Sequence, residues 1–466
     1  MVKKKHFKKV KTNSILILVS TSLMLCGCGR KESGEYQIPG YGSQAMWLFG
    51  GENYPYHGDV LWVTVPDHAD WLYRKGEEAT VEVQFYKYGI PRDGVVEYAI
   101  GNDLMDADTK GTLKLKNGRG IINAGSAERA CFRDIRLKME LDGTVYNHHV
   151  KIGFSPEEIV PYTKMPEDFW QFWQDNLAEE GRHPLKYEKV YCPEFSNDKT
   201  DCYLVHIELN PRHQYFYGYL MMPKNAKPGS HPVMLSPPGA GVIRIKDPNA
   251  LDYIPEDGII RFITEIHGVN PLMPETGSSD AGDSVMWLAG YLSQGLDSRN
   301  RYYMKHVYLG QVRCIDFLTQ LPEWDGKNVI TQGGSQGGAL ALVAAALDPR
   351  VTLCVADCPA FSDMAAGVEE GRTHGFPHFS RAEGFLTEQH LNTLPYFDVC
   401  SFAPHIKAKT MLTWGYNDNI CPPTTSYAVW NLLTCEKESL VTPINEHWTS
   451  DATKRKQLDW VLKNLK

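Results

Sequence analysis

The chain has 466 residues, 42% hydrophobic and 11% aromatic, with a formal net charge of −8. These values exclude a disordered chain and leave room for two or three domains. The acidic balance argues against a nucleic-acid partner, which would need a basic surface, while small neutral or sugar ligands stay open.

Residues 1–27 read as an export signal. Lys3, Lys4, Lys5, Lys8, Lys9 and Lys11 precede an apolar run from Ile15 to Leu25, a charged n-region followed by an h-region too short to span a bilayer stably. The run ends in Leu25-Cys26-Gly27-Cys28, which resembles the bacterial lipoprotein signal. Cleavage before Cys28 and lipidation of that cysteine are therefore expected, with a plain secretory signal as the competing reading. The mature protein would then be an exported, lipid-anchored lipoprotein facing the periplasm or the cell surface. Loss of the six lysines takes the formal charge from −8 to −14. The cysteines beyond the signal form no CxxC pair, so a disulfide scaffold is not indicated, and Cys354 and Cys358 read as core thiols.

Residues 28–45 are polar and Gly-rich and read as a tether. From 46 to 155 the pattern is that of strands. Leu61, Val63 and Val65 alternate with Trp62 and Thr64; Val81, Val83 and Phe85 alternate with Glu82 and Gln84; Ile135, Leu137, Met139 and Leu141 alternate with charged residues. Each run should have one dry and one wet face. Asp142-Gly143 marks a hairpin. Short strands at this spacing predict a small immunoglobulin-like β-sandwich. Exposed Trp62 or Trp71 could bind glycan, although packing is the simpler role.

Residues 156–165 read as a linker, and 166–466 as an α/β domain. A helix is expected from about Pro166-Glu167-Asp168, with Phe169, Phe172 and Trp173 on its buried face. A meander of strands follows, and then apolar strands alternate with helices, the pattern of a doubly wound parallel sheet. Val233 to Ser236 is a buried-type strand leading to Pro237-Pro238-Gly239-Ala240-Gly241, a small-residue loop that offers the N–H of Ala240. Tyr302 to Leu318 reads as a helix with Val307, Tyr308, Val312 and Ile315 on one face. Residues 360–395 read as a cap. His374 and His378 have metal-ligand spacing only in a helix, which Gly375 and Pro377 oppose, so no metal is assigned.

The chemistry centres on Gln332-Gly333-Gly334-Ser335-Gln336-Gly337-Gly338. A short strand precedes it and the Ala/Leu-rich run to Leu347 follows, so the order is strand, tight turn, helix, as in a nucleophile elbow. A Cβ at the flanking glycines would clash with nearby backbone, and the helix start directs the N–H of Gln336 toward a developing oxyanion. A serine needs a base, and the base an orienting acid. Where a nucleophile elbow is followed by acid and then histidine on loops after later strands, Asp418 and His447 fit: Thr410 to Gly415 runs into the first loop and Ser439 to Pro443 into the second. Glu446 is the weaker candidate for the acid, because adjacent side chains point apart. His405 reads as structural.

Gly333 to Gly338, Asp348-Pro349-Arg350-Val351, Tyr396-Phe397-Asp398, Asp418 to Pro423 and His447 together are similar to the acetyl xylan esterase and cephalosporin C deacetylase family. The similarity spans about 300 residues, from roughly Pro166 to the C-terminus. It implies an α/β-hydrolase with a Ser335, Asp418, His447 triad, removing acetyl groups from decorated sugars without cofactor or metal, while the residues themselves offer the N–H groups of Gln336 and Ala240 as oxyanion donors. Three departures bear on the acyl pocket: His267-Gly268-Val269 stands where that family carries Arg-Gly-Gln, Trp448 follows His447 in place of glutamate, and Ala240 replaces a tyrosine. An esterase for another acyl group, a peptidase, and a non-catalytic glycan-binding lipoprotein are the competing readings. Homo-oligomerisation is left open.

Overall fold

The computed structural model describes residues 59–210, 214–242, 257–272 and 290–466, together with positions 245, 247 and 248. The signal, Cys28 and the tether lie outside the described residues.

The N-terminal part is built of two β-sheets packed face to face. Strands β1 (Val60–Pro66), β3 (Ala79–Lys87), β4 (Ile90–Pro91) and β7 (Arg119–Gly125) form one sheet. Strands β2 (Leu72–Tyr73), β5 (Gly94–Asn102), β6 (Ala107–Leu115), β8 (Cys131–Leu141) and β9 (Thr144–Phe154) form the other. Alternation places Val81, Val83 and Phe85 against Ile135, Leu137 and Met139, all buried between the sheets. Asp142 and Gly143 both take positive φ, 55° and 78°, and join β8 to β9 in a two-residue hairpin.

The first strand differs from expectation. Trp62, on the face expected to be wet, packs edge-on to Phe85 at 4.7 Å and stacks on His148, whereas Val65 is 47% exposed. A large indole buries more apolar area than valine and decides which face turns inward. Trp71 lies against Tyr416 of the second domain. Both tryptophans pack against neighbouring rings, and both also line a cavity bounded by β1, β5, β9 and the Asn417 and Glu446 loops.

The stretch expected to be a linker is pinned. The Asn431 amide donates to the carbonyls of Pro156 and Ile159 at 3.0 and 2.9 Å. Helix α1 (Phe169–Gly181) buries Phe169, Phe172 and Trp173 against Tyr396, Phe397 and Phe402. Beyond it a nine-stranded sheet runs in the order β10-β11-β12-β14-β13-β15-β16-β17-β18. Antiparallel β10 (Lys186–Tyr191), β11 (Thr200–Asn210) and β12 (Gln214–Pro223) lead to the parallel part: β13 (His231–Ser236), β14 (Ile260–Thr264), β15 (Trp324–Gly334), β16 (Leu353–Asp357), β17 (Lys409–Trp414) and β18 (Lys437–Val441). The central strands read as continuous apolar runs because helices cover both faces. Those helices are α2 (Met304–Leu318), α3 (Gln336–Leu347), α6 (Pro423–Leu432) and α7 (Asp451–Asn464), with short α4 (Glu388–Thr393) and α5 (Val399–Phe402) between.

Helix α2 departs from the single-face expectation. Besides Val307, Tyr308 and Ile315 it buries Leu309, Gln311, Arg313 and Cys314, while Val312 is only partly covered. The helix is wedged between α3 and the sheet, so little of its girth meets water. Every residue of α3 is buried, which explains a sequence of alanine, leucine and glycine with almost no polar face.

Candidate active site

Strand β15 ends at Gly334, and Ser335 turns the chain into α3 with φ 57° and ψ −123°. A non-glycine residue there is strained, and the surroundings hold it: the Ser335 N–H donates to the Asp357 carbonyl at 2.9 Å and the Ser335 carbonyl accepts from Ala339 N–H at 3.1 Å. The glycines are required by proximity. A Cβ on Gly333 would lie 2.5 Å from the Gly337 backbone, one on Gly337 2.5 Å from the Pro237 carbonyl, and one on Gly338 2.6 Å from that of Asp357. The elbow is thus pressed against both the loop after β13 and the end of β16.

Asp418 follows β17 and is fully buried. Its Oδ1 accepts from the N–H groups of Ile420 and Cys421 at 2.7 and 2.9 Å, which fixes the carboxylate plane. Its Oδ2 is 2.7 Å from His447 Nδ1, in the loop after β18. With Nδ1 engaged by the carboxylate, Nε2 is the nitrogen left for proton transfer. Ser335 is drawn to the same place through Cys421, whose thiol lies against the serine side chain. Serine, acid and histidine therefore gather at the carboxyl ends of β15, β17 and β18, with β16 between the first two, on the side of the parallel sheet where such sheets place their ligand sites.

Cys358, expected to be a plain core thiol, sits at the end of β16 inside this group. Its Sγ, an Asp418 oxygen and a His447 nitrogen all lie within 4.8 Å of one another. Burial, with the Asp418 charge added, pushes the Cys358 thiol well above its ordinary range, so it rests as a neutral thiol.

The loop after β13 is locked to the elbow by side chains the sequence did not reveal. Tyr291 donates its hydroxyl to Gln336 Oε1 at 2.7 Å and accepts from Gly241 N–H at 3.0 Å; the Gln336 amide donates to the Gly239 carbonyl at 3.1 Å. His267 places Nε2 3.2 Å from the Gly241 carbonyl and Nδ1 2.7 Å from the Tyr303 hydroxyl. Burial pulls the His267 imidazole down to about 4, so it is neutral. Beneath it Glu265 accepts from the N–H groups of Tyr217, His267 and Gly268; burial pushes its carboxyl up to about 7 despite those bonds. Between these anchors lies Ala240, whose N–H has no acceptor among the described residues. This is the arrangement a second oxyanion donor needs: backbone held from both sides with its N–H free.

The remaining candidates fall elsewhere. Glu446 turns toward His149, 3.7 Å away, and not to His447. His405 stacks on Trp170 at 4.7 Å, a packing role. His374 and His378 face each other at 5.2 Å across a non-helical segment containing the cis Phe376–Pro377 bond, and burial pulls them down to about 4 and about 3. Their segment, expected to be a cap, also reaches the β-sandwich, with the Thr373 hydroxyl donating to the Asp103 carbonyl at 2.6 Å.

A serine on a strained strand–helix turn, beside a carboxylate–imidazole pair at the ends of neighbouring parallel strands, defines an α/β-hydrolase. The model of the acetyl xylan esterase (AXE1) family matches residues 156–464. The chain belongs to that family and is a carboxylic ester hydrolase. It is 52% identical over 425 residues to the acetyl esterase Axe7A of Xylanibacter ruminicola, covering 91% of this chain and 95% of that one. Among solved structures it resembles an acetyl xylan esterase from Paenibacillus sp. R4, with a TM-score of 0.57 and 25% identity over 66% of this chain and 98% of that one. Acetyl xylan esterase 1 from Thermoanaerobacterium sp. JW/SL YS485 shares the fold, with a TM-score of 0.54 and 24% identity over 66% of this chain and 97% of that one.

Proposed function

We propose that the protein is a serine esterase that removes O-acetyl groups from acetylated poly- or oligosaccharides, with Ser335 as nucleophile, His447 as general base and Asp418 as its orienting acid. The observation that carries this is the 2.7 Å contact between Asp418 Oδ2 and His447 Nδ1 beside the strained serine turn. Ser335 Oγ attacks the acetyl carbonyl while His447 Nε2 takes its proton, and the resulting oxyanion is met by the N–H groups of Gln336 and Ala240. Each such donor accounts for roughly 10²- to 10³-fold in rate. Collapse breaks the ester C–O bond, the sugar oxygen leaves with the proton held by His447, and acetyl-Ser335 remains. Water, deprotonated by the same imidazole, then releases acetate.

Family membership and the acetyl esterase relative support acetate as the acyl group, the acidic net charge leaves a neutral glycan open, and the expected export signal supports one outside the cytoplasm. We also place lipid on Cys28, which would hold the enzyme to a membrane facing the periplasm or the cell surface. Acetate release from acetylated xylan, pectin and host-type glycans, with Ser335→Ala as control, tests the substrate class, and indifference to every polymer would refute it. Palmitate labelling of wild type but not of Cys28→Ala tests the anchor.

A further inference from the structure

We infer that the N-terminal β-sandwich is a working part of the catalytic centre, and that Lys151 on β9 is a positioning residue for the acid of the triad. The inference rests on the triad proposed above. The family match begins at residue 156, so Lys151 lies outside it.

Lys151 and Asp103 are both completely buried and form an ion pair at 2.7 Å. Taking two charges out of water is costly unless their remaining hydrogen-bonding capacity is used, and a sandwich core of valine, isoleucine and phenylalanine has no need of such a pair. Here the capacity is spent on the other domain. Lys151 Nζ donates to the Asp418 carbonyl at 2.6 Å, and Lys151 N–H donates to Asn417 Oδ1 at 2.9 Å. One residue thus holds both the acid and the residue before it. Asp103 in turn accepts from the Thr424 hydroxyl at 3.1 Å, in the first turn of α6. The backbone of the acid is clamped from the sandwich side, while its Oδ1 is clamped by Ile420 and Cys421, so Oδ2 has one direction left, toward His447.

The histidine loop is held by the same strand. Residues two apart on a strand share a face, and His149 approaches Glu446, the neighbour of His447, while its Nδ1 is held by Asp134 at 3.0 Å. Two side chains of β9 therefore bracket the loops bearing the acid and the base.

The test uses the full mature chain and p-nitrophenyl acetate, whose hydrolysis does not depend on which glycan is the natural substrate. Lys151→Met keeps length and removes the ammonium. It is expected to lower kcat about 10- to 100-fold, to leave KM within about two-fold, and to slow labelling of Ser335 by a fluorophosphonate in parallel. Val83→Ala, in the sandwich core away from the site, should lower Tm without this loss in folded protein. A Lys151→Met enzyme that is folded and turns over like wild type, or that loses no more than Val83→Ala, overturns the inference. Should Lys151→Met not fold, the isosteric Asp103→Asn is read by hydrogen exchange: faster exchange of the Ile420 and Cys421 amides supports the brace, and unchanged protection overturns it. Ser335→Ala separates the two levels. If it remains active the triad reading itself fails; if it is dead while Lys151→Met is unimpaired, only the brace fails.

Discussion

The two domains spend their buried polar groups differently. In the α/β-hydrolase domain one group of them gathers at the carboxyl ends of the parallel strands, where Asp418 holds His447 and Tyr291 holds Gln336 beside the Ser335 turn. In the β-sandwich the interior is equally apolar, yet its fully buried pair, Asp103 and Lys151, faces outward to the neighbouring domain. The first domain makes the reactive geometry and the second restrains it. Conventional reasoning about accessory domains looks for a ligand on their exposed surface; this one contributes through the surface it hides.

That contrast can be broken, beginning with the largest effect. Ser335→Ala should lower turnover by on the order of 10⁴- to 10⁶-fold and abolish fluorophosphonate labelling, with the Tm little changed. Residual labelling elsewhere, with activity retained, would move the reactive centre to another residue. Gly337→Ala comes next. Its Cβ would meet the Pro237 carbonyl at 2.5 Å, and backbone cannot swing aside as a side chain can, so kcat/KM is expected to drop by about 100-fold together with a loss of about 1–3 kcal/mol in stability.

Tyr291→Phe sharpens the contrast within the hydrolase domain. It removes one donor to Gln336 and one acceptor for Gly241, so kcat should fall roughly ten-fold, the equivalent of about 1.4 kcal/mol, while the fold survives. An unchanged kcat would mean that the loop holding Ala240 is set by His267 and Glu265 alone.

The last effect concerns the sandwich side and is read in stability, with the rate left unchanged. Burial pulls the His149 imidazole down, but the Asp134 and Glu446 carboxylates outweigh it and raise the group from 6.5 to about 9. Because the folded form holds its proton to higher pH than the unfolded chain, this contribution is complete below about pH 6.5 and is lost as pH rises through about 9. Denaturant unfolding of wild type should therefore lose stability across that window, by on the order of 1–3 kcal/mol, relative to His149→Gln. Parallel curves for the two proteins would show that the contact to Glu446 carries no charge.

How much of this could be read from the chain depends on how local the cause is. The meeting of Asp418 with His447 was legible because each sits on a loop after a later strand, in the order the elbow sets, and Val81, Val83 and Phe85 were legible because alternation is a two-residue signal. Trp62 misled because the alternation names two faces without saying which is inner, and indole bulk settled it. Helix α2 misled because a single apolar stripe presumes water on the far side. The Tyr291–Gln336 bond spans 45 positions and the Lys151–Asp418 bond 267, and neither leaves a periodic trace at either end. Cys358 looked like filler in an apolar strand; only the convergence of neighbouring strand ends puts it beside the acid.

That thiol has a consequence for anyone sorting hydrolases by inhibitor. A mercurial that captured the sulfur at position 358 would wedge a heavy atom among the groups that activate the serine, and hydrolysis would stop although no cysteine takes part in it. Sensitivity to thiol poisons would thus place this esterase in the wrong mechanistic class, and slow alkylation by iodoacetamide, as befits a sheltered and protonated thiol, would be the clue to the misfiling.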